Sequence, residues 1–367
     1  MLPRVLIRTL SLRAASEGIK QRFWSSTAVL GSAKNWKIVE KVADRQVPPL
    51  SNVTINSSDC PVVVCPADPQ QYPDSDRLLI YLLKDQENDS TDLQLVQATP
   101  NSFNIDVHGS TDEQKTLEIH VPVQSNVSAF CSGGGDVSVK YLHSDRLAVV
   151  TSSGSISTKD IRCSEIVLAT QGGSVACTGV LQGKINIKAM SQGTISCQRL
   201  QGPLANVESE KGDVSIASDY CDRSSVTTHS GSVKFGSLHR KCKVEITGKA
   251  DLIAAGLDGR LQAVVKEGNA DVQVSNLVGH SNIELGKGNV KLRLGETDNN
   301  LIRLSADQVN MCGEFEAENS SENGKNLVRF GRKGDGQGDL KVSVLEGEIL
   351  VEKSSWIASL NLNKKYN

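Results

Sequence analysis

A glycine recurs every 19 or 20 residues through the middle of this 367-residue chain, and this recurrence limits the possible folds more than any other feature. Each glycine opens a five-residue unit whose third position is apolar and whose fifth is mostly apolar. The clearest units begin at Gly135, Gly154, Gly173, Gly193, Gly212 and Gly231. Alternation of apolar and polar positions is typical of a β-strand. A period near 20 residues indicates stacked coils that share one continuous core.

A second short strand is predicted in each period, as at residues 166–169 and 184–187. The spacing continues at Ala250, where alanine takes the glycine position, and then at Ala270 and Gly288. We therefore predict an all-β fold, a parallel and β-helix-like β-solenoid of roughly ten coils of 19–20 residues. We expect it to be right-handed, since parallel crossovers nearly always are.

The segments around the repeat give the predicted domain organisation. They are a transit peptide (1–24), a linker (25–50), an irregular N-terminal β cap with entry strands (51–130), the solenoid repeats (131–312), a mobile loop (313–337), and terminal strands with a cap (338–367). The N-terminal cap is expected because an open solenoid end exposes unpaired strand edges. The loop is predicted because glutamate and glycine replace the strand alternation there.

The N-terminal residues have the composition of a mitochondrial transit peptide. Basic side chains are interspersed with leucine, isoleucine and serine, and Glu17 is the single acid of residues 1–24. The segment Arg22-Phe-Trp24-Ser25 resembles a matrix-protease cleavage site, which predicts a mature chain that begins near Ser25. The alternative is a disordered basic tail. The transit interpretation places the protein in mitochondria, in the matrix rather than the intermembrane space.

The nine cysteines do not form the pattern of a small disulfide-rich domain, because their number is odd and no Cys-x-x-Cys occurs. Cys177 and Cys197 take the same inward position on adjacent coils, so that their Cα atoms would lie about 5 Å apart, within disulfide range. A reducing matrix and ordinary apolar packing favour free thiols. We interpret the Asn-x-Ser/Thr sequons as chance occurrences in a chain rich in Asn and Ser; they are Asn52, Asn56, Asn88, Asn126 and Asn319.

Composition gives no support for several classes of partner and cofactor. The net charge is −2 and aromatic residues are 4% of the chain, which does not favour nucleic-acid binding. No apolar run is long enough for a transmembrane helix. The six histidines have no metal-ligand spacing with a cysteine or with one another, and Gly286-Lys-Gly288 lacks the remainder of a phosphate-binding loop. We expect no cofactor and no metal.

The strongest catalytic candidates are Asp251 and Asp271. In the repeat alignment both follow the glycine position, face outward and lie on adjacent coils, about 5 Å apart. Two close carboxylates can separate their pKa values and act as acid and base. Because Asp, Ser and Asn suit turn positions beside glycine, an ordinary structural role is the favoured interpretation. A row of small residues that includes Ser138 and Ser157 could likewise dock a partner or be plain solvated surface.

The segments 117–122 and 133–139 resemble the putative-adhesin domain, a mainly bacterial family of unknown function, and the resemblance covers roughly residues 100–310. The flanks at 66–69, 72–77 and 355–360 are similar to a vertebrate family, family with sequence similarity 185, which extends the resemblance to about residues 60–362. Both resemblances imply a β-solenoid and no established activity. The family pattern holds no catalytic residues to carry over to this chain.

These observations favour a non-enzymatic mitochondrial scaffold or protein-binding β-solenoid with an unidentified protein partner. Two alternatives stay open at this point. One is a carbohydrate-acting β-helix enzyme that uses Asp251 and Asp271. The other is an extracellular adhesion module, which requires that the N-terminus acts as a secretion signal. The oligomeric state does not follow from the residues.

Overall fold

The computed structural model describes residues 38–84, 92–108, 115–295, 300–313, 315–322, 324–331 and 338–354. Every regular element in these ranges is a β-strand, and none of them holds a helix that could cross a membrane. The strands are Ile38–Gln46 (β1), Asn52–Ser57 (β2), Val62–Pro66 (β3), Arg77–Lys84 (β4), Asp92–Thr99 (β5), Ser102–His108 (β6), Lys115–Val121 (β7), Asn126–Cys131 (β8), Val137–Lys140 (β9), His143–Thr151 (β10), Ile156–Thr170 (β11), Val175–Ala189 (β12), Ile195–Ser209 (β13), Val214–Cys221 (β14), Arg223–Thr228 (β15), Val233–Lys249 (β16), Leu252–Glu267 (β17), Ala270–Leu277 (β18), His280–Lys287 (β19), Val290–Gly295 (β20), Leu301–Ala306 (β21), Gln308–Cys312 (β22), Ala317–Glu322 (β23), Lys325–Phe330 (β24), Asp339–Glu346 (β25) and Glu348–Ser354 (β26).

Parallel pairing joins the coils into two stacks, and each coil contributes one stretch of strand to each. Stack 1 runs in the order β7, β3, β9, β11, β12, β13, β14, β16, β17, β18, β20, β26, β22. Stack 2 runs β6, β2, β8, β10, β11, β12, β13, β15, β16, β17, β19, β25, β21. The long strands β11, β12, β13, β16 and β17 pass through both stacks. The predicted all-β parallel solenoid is confirmed.

The core lies between the two stacks and is built from columns of equivalent apolar residues. One column contains Val137, Ile156, Val175, Ile195, Val214, Val233 and Leu252, each at most 1% exposed. Alternate residues of most strands in the two stacks point inward, so the coils add successive layers of apolar side chains to the same core. A single coil would leave these apolar side chains exposed to water. The burial of apolar surface between stacked coils is therefore the main source of stability.

The repeated glycines form a column at the corner where stack 2 passes into stack 1. A Cβ atom on Gly154 would lie 1.9 Å from the carbonyl oxygen of Gly135, and one on Gly173 would lie 2.2 Å from that of Gly154. The column continues through Gly193, Gly212, Gly231, Ala250, Gly268, Gly288 and Gly347. Close backbone approach therefore explains the glycine at this position. A positive φ occurs at only some members of the column, such as Gly268 at 135°.

The coils at the two ends do not stack in sequence order. The first coil, β2 and β3, lies between the β6–β7 coil and the β8–β9 coil. At the other end the β25–β26 coil, which is the last in sequence, lies between β19–β20 and β21–β22. At the N-terminal end the chain forms the inner coil β2–β3 before the outer coil β6–β7, whereas at the C-terminal end it forms the outer coil β21–β22 before the inner coil β25–β26.

Antiparallel strands cover both ends and change three of the predicted segments. The predicted linker 25–50 includes β1, which pairs with β4, and β4 pairs with β7. The predicted cap 51–130 contains two stacked coils in addition to the antiparallel strands β4 and β5. The predicted loop 313–337 contains the hairpin of β23 and β24, which covers β21. These strands pair with the outer edges of β7, β6 and β21, which an open solenoid would expose.

Candidate functional site

The structure does not place Asp251 and Asp271 in equivalent positions. Asp271 pairs with Ile253, and Leu252 pairs with Ala270, so the residue opposite Asp251 is Asn269. Gly268 takes the corner position that the sequence analysis gave to Ala270, and its missing Cβ would lie 2.0 Å from the carbonyl oxygen of Ala250. The predicted pairing of the two carboxylates on adjacent coils is therefore wrong by two residues.

Asp251 belongs to a row of side chains that accept hydrogen bonds from the backbone of the next coil. Its Oδ1 atom accepts a bond from the backbone N–H of Asn269 at 2.7 Å. Asp136 and Asp213 accept the same kind of bond from Ser155 and Ser232, also at 2.7 Å. We call this row the corner row; its further acceptors are Ser155, Ser174, Asn269 and Asn289. These carboxylates satisfy exposed backbone donors, which is a structural role.

Asp271 lies on the outer side of stack 1 and forms an ion pair. Its Oδ2 atom is 2.5 Å from a guanidinium nitrogen of Arg293. Arg293 also lies 4.0 Å from Glu352, which is 2.9 Å from Lys291. Asp271 is thus one member of a small charged network across β18, β20 and β26, in which Arg293 lies between its carboxylate and that of Glu352.

Asp219 is a buried carboxylate that the sequence analysis did not single out. Leu181, Leu200, Leu238 and Leu257 form an inward column, and Asp219 takes the position between Leu200 and Leu238 with 0% exposure. One oxygen accepts a bond from the Cys221 backbone N–H at 3.0 Å. The other has no hydrogen-bond partner within the part of the chain that the structure describes. Burial raises the pKa of Asp219 above its usual value, although Ser224 and Cys221 lower it in part.

Cys177 and Cys197 are register partners in β12 and β13, as the repeat predicts, and both are buried free thiols. They pack between Thr158 and Ile216 in the second inward column of stack 1. The neighbouring Cys177 thiol raises the pKa of Cys197, and burial raises it further. Their position is that of ordinary core residues.

A group of potential metal ligands lies on the outer side of stack 1 near its N-terminal end. Ligand atoms of Cys65, Glu118 and His120 all lie within 4.8 Å of one another. Cys65 on β3 is the register partner of His120 on β7, and Nε2 of His120 is 2.8 Å from a carboxylate oxygen of Glu118. The Tyr81 ring meets the His120 ring edge-on, with centroids 5.2 Å apart. We call the three ligand residues the Cys65 cluster.

Burial and hydrogen bonding act in opposite directions on His120. Burial lowers the pKa of His120, but hydrogen bonds and charge from Cys65 and Glu118 more than offset this effect and raise it to about 10. The side chains of His120 and Glu118 keep 23% and 29% of their surface exposed. The cluster is therefore polar, half-buried and open to small solutes. Sequence analysis missed it because 55 positions separate Cys65 from His120, and the antiparallel strands β4 and β5, which lie between the two coils in the sequence, interrupt the period.

A histidine also meets a carboxylate at the opposite corner of the coils. Tyr220 stacks on His239 with centroids 4.4 Å apart, and Nδ1 of His239 is 3.1 Å from Asp258. An Asp–His pair can orient a general base, but it needs a nucleophile or a bound substrate beside it. No hydroxyl or thiol of the described residues hydrogen-bonds to His239. The pair by itself supports no reaction.

The outer side of stack 2 carries a small apolar surface, the Phe130 patch: Phe130, Val150, Val167 and Ala169. Phe130 pairs with Val150, which pairs with Ala169 on the next coil. Phe130 is 43% exposed and Val150 is 36% exposed. The same column continues with Lys188 and Glu208, so the apolar surface ends after three coils.

The predicted cleavage residues Arg22, Trp24 and Ser25 lie outside the described residues.

A shallow groove of about 540 Å³ lies at the corner opposite the glycine column, near Arg162, Gln182 and Pro203. Leu50 borders the groove and is 62% exposed.

A model of one protein family, Toastrack DUF4097, matches the chain twice, over residues 51–217 and 182–352. The matches overlap and together take in both the repeats and the end coils.

Two solved structures are similar to this chain. One, described as a putative cell adhesion protein from Clostridium sporogenes, is 10% identical, with 86% of this chain and 100% of that chain covered and a TM-score of 0.18. The other, a putative adhesin from Bacteroides fragilis, is 13% identical, with 87% and 98% covered and a TM-score of 0.29. At these TM-scores neither similarity supports an argument about function.

Proposed function

The chain belongs to the Toastrack DUF4097 family, and from that starting point we propose that it is a non-enzymatic, protein-binding scaffold of the mitochondrion. The observation that carries the binding role is the Phe130 patch. Exposed apolar side chains are normal when they are scattered, but a contiguous group on a flat face is typical of an interaction site. A rigid stack of parallel strands holds this group in one geometry, which lowers the entropic cost of docking.

The roles of the acidic side chains support a function without catalysis. Asp136, Asp213 and Asp251 are engaged with backbone donors, and Asp271 is paired with Arg293. An acid and base pair needs two titratable groups whose environments push their pKa values apart at one place. The candidates from the sequence do not meet this requirement.

The mitochondrial location is supported by the N-terminal composition, with Arg4, Arg8 and Arg13 among apolar residues and serine. The proposal also includes a relationship to the vertebrate family with sequence similarity 185, which the similarity of the flanks supports. A reducing matrix would keep the buried thiols of the core reduced.

The location is tested by sequencing the mature N-terminus and by protease protection in fractionated cells. We expect a chain that begins near Ser25 and resists protease until the inner membrane is opened. An uncleaved or glycosylated chain outside mitochondria would overturn the location and favour the adhesion alternative instead.

The binding role is tested by in-cell crosslinking of the full chain. Val150→Lys places a charge in the Phe130 patch, and Val264→Lys is the matched control. Val264 lies in the same outward column, six coils further along stack 2, and is 44% exposed. We expect Val150→Lys to remove a specific crosslinked species that Val264→Lys and the unmodified protein both retain. Loss of the same species in both variants, or in neither, would contradict the assignment of the patch.

A further inference from the structure

We propose that the Cys65 cluster binds one zinc ion through the thiolate of Cys65, a carboxylate oxygen of Glu118 and an imidazole nitrogen of His120. The inference rests on geometry: three chemically distinct ligand atoms lie within 4.8 Å of one another. It is independent of the scaffold function proposed above.

The spacing of these atoms suits a tetrahedral ion. Zinc bonds of about 2.3 Å to sulfur and about 2.0–2.2 Å to nitrogen and oxygen place neighbouring ligand atoms roughly 3.4–3.6 Å apart. The 2.8 Å contact of His120 with Glu118 is somewhat shorter than this. Rotation of the half-buried Glu118 side chain would lengthen this contact. Thiolate, imidazole and carboxylate together favour zinc over the hard cations calcium and magnesium, which prefer oxygen alone.

The strands hold the ligands in place before any ion arrives. Cys65 and His120 are register partners on adjacent parallel strands, and Glu118 lies two positions before His120, so that all three side chains face outward from stack 1. Tyr81 on β4 packs against the His120 ring and restricts its rotation. Ligands fixed by a rigid sheet lose little entropy on binding.

The ion would join two coils that are distant in sequence. Cys65 comes from the first coil, β2–β3, whereas Glu118 and His120 come from the β6–β7 coil outside it. Three protein ligands leave a fourth position, which water fills in open zinc sites. Because the ligand set forms only when these coils have stacked, bound zinc stabilises the folded end of the solenoid.

The first experiment titrates the metal-free full chain with zinc and with cobalt. We expect one zinc per chain, a rise in melting temperature with zinc, and a thiolate-to-cobalt charge-transfer absorption. Cys65→Ser should abolish that absorption, and His120→Gln should weaken zinc binding about tenfold or more. Cys312→Ser removes an exposed cysteine elsewhere and should leave both properties unchanged.

A second experiment needs no variant and therefore does not depend on folding of the substituted chains. The unmodified protein is labelled with N-ethylmaleimide with and without zinc, and each cysteine peptide is quantified. We expect zinc to slow labelling of Cys65 several-fold and to leave Cys312 unaffected. Equal protection of Cys65 and Cys312, or a cobalt absorption that persists in Cys65→Ser, would overturn the proposal.

Discussion

The carboxylate of Asp251 accepts a hydrogen bond from the backbone N–H of Asn269 on the next coil, at 2.7 Å. Removing the carboxylate therefore leaves a corner donor without its protein partner. We predict that Asp251→Ala lowers the free energy of unfolding by about 1 kcal/mol, because water replaces the lost acceptor only in part. Asp251→Asn keeps an acceptor oxygen and should stay close to the unmodified protein. Urea unfolding of the three proteins measures the difference, and equal midpoints for all three would show that the bond contributes nothing.

Gly173 is predicted to resist even the smallest substitution. A Cβ atom there would lie 2.2 Å from the carbonyl oxygen of Gly154, whereas one on the adjacent Gly172 would have its nearest neighbour at 3.5 Å. Gly173→Ala forces two coils apart and should cost about 2 kcal/mol or more. Gly172→Ala is the matched control and should have little effect. Comparable losses in the two variants, measured by thermal unfolding, would argue against backbone approach as the reason for the glycine column.

The buried carboxylate of Asp219 is predicted to destabilise the protein at neutral pH. Burial raises its pKa in the folded state, so the folded chain binds the proton more strongly than the unfolded chain does. Its contribution to stability therefore falls as the pH rises above the unfolded value of about 3.9. We expect Asp219→Asn to melt at a higher temperature than the unmodified protein at pH 7. The advantage should shrink as the pH is lowered towards 4, and a difference that does not vary with pH would contradict the burial argument.

The cysteines are predicted to differ sharply in reactivity. Cys312 is exposed, whereas Cys177, Cys197 and Cys242 are buried, and burial also raises the pKa of Cys242. Thiolates react and buried thiols do not, so Cys312 should react first with N-ethylmaleimide. The three buried cysteines should react only on unfolding. Mass spectrometry of cysteine peptides over time provides the measurement, and early labelling of Cys177 or Cys197 would mean that the core opens locally.

The sequence was sufficient to predict the solenoid because the same residue types, glycine and inward apolar residues, are required in every coil. Each glycine of the column is required by the carbonyl oxygen of the coil before it, and each inward position by the shared core. The same period failed at residues 268–271. Ala270 and Gly268 both fit the small-residue position, and apolar alternation cannot distinguish two positions that differ by two residues. The stacking register places Gly268 at the corner position, so that Asp271 does not lie opposite Asp251.

The Cys65 cluster lay beyond sequence reasoning for a different reason. Cys65 and His120 lie on coils that follow one another along the chain. The antiparallel strands β4 and β5 separate these coils in the sequence, so the period does not reveal the register of β3 against β7. Asp219 was missed because its local sequence conceals its burial. An aspartate in a polar surrounding sequence gives no indication that its position faces the core, and only the alignment with Leu200 and Leu238 reveals it.

The position of the last coil has a consequence for how the chain is made. During synthesis β21 and β22 leave the ribosome before β25 and β26, yet they stack on those later strands. They must therefore wait, unpaired along that edge, until β25 and β26 have emerged as well. A truncation before residue 339 would remove β25 and β26, and β21 and β22 would then lack the coil on which they stack. The last two coils therefore assemble in the reverse of the order in which they are synthesised.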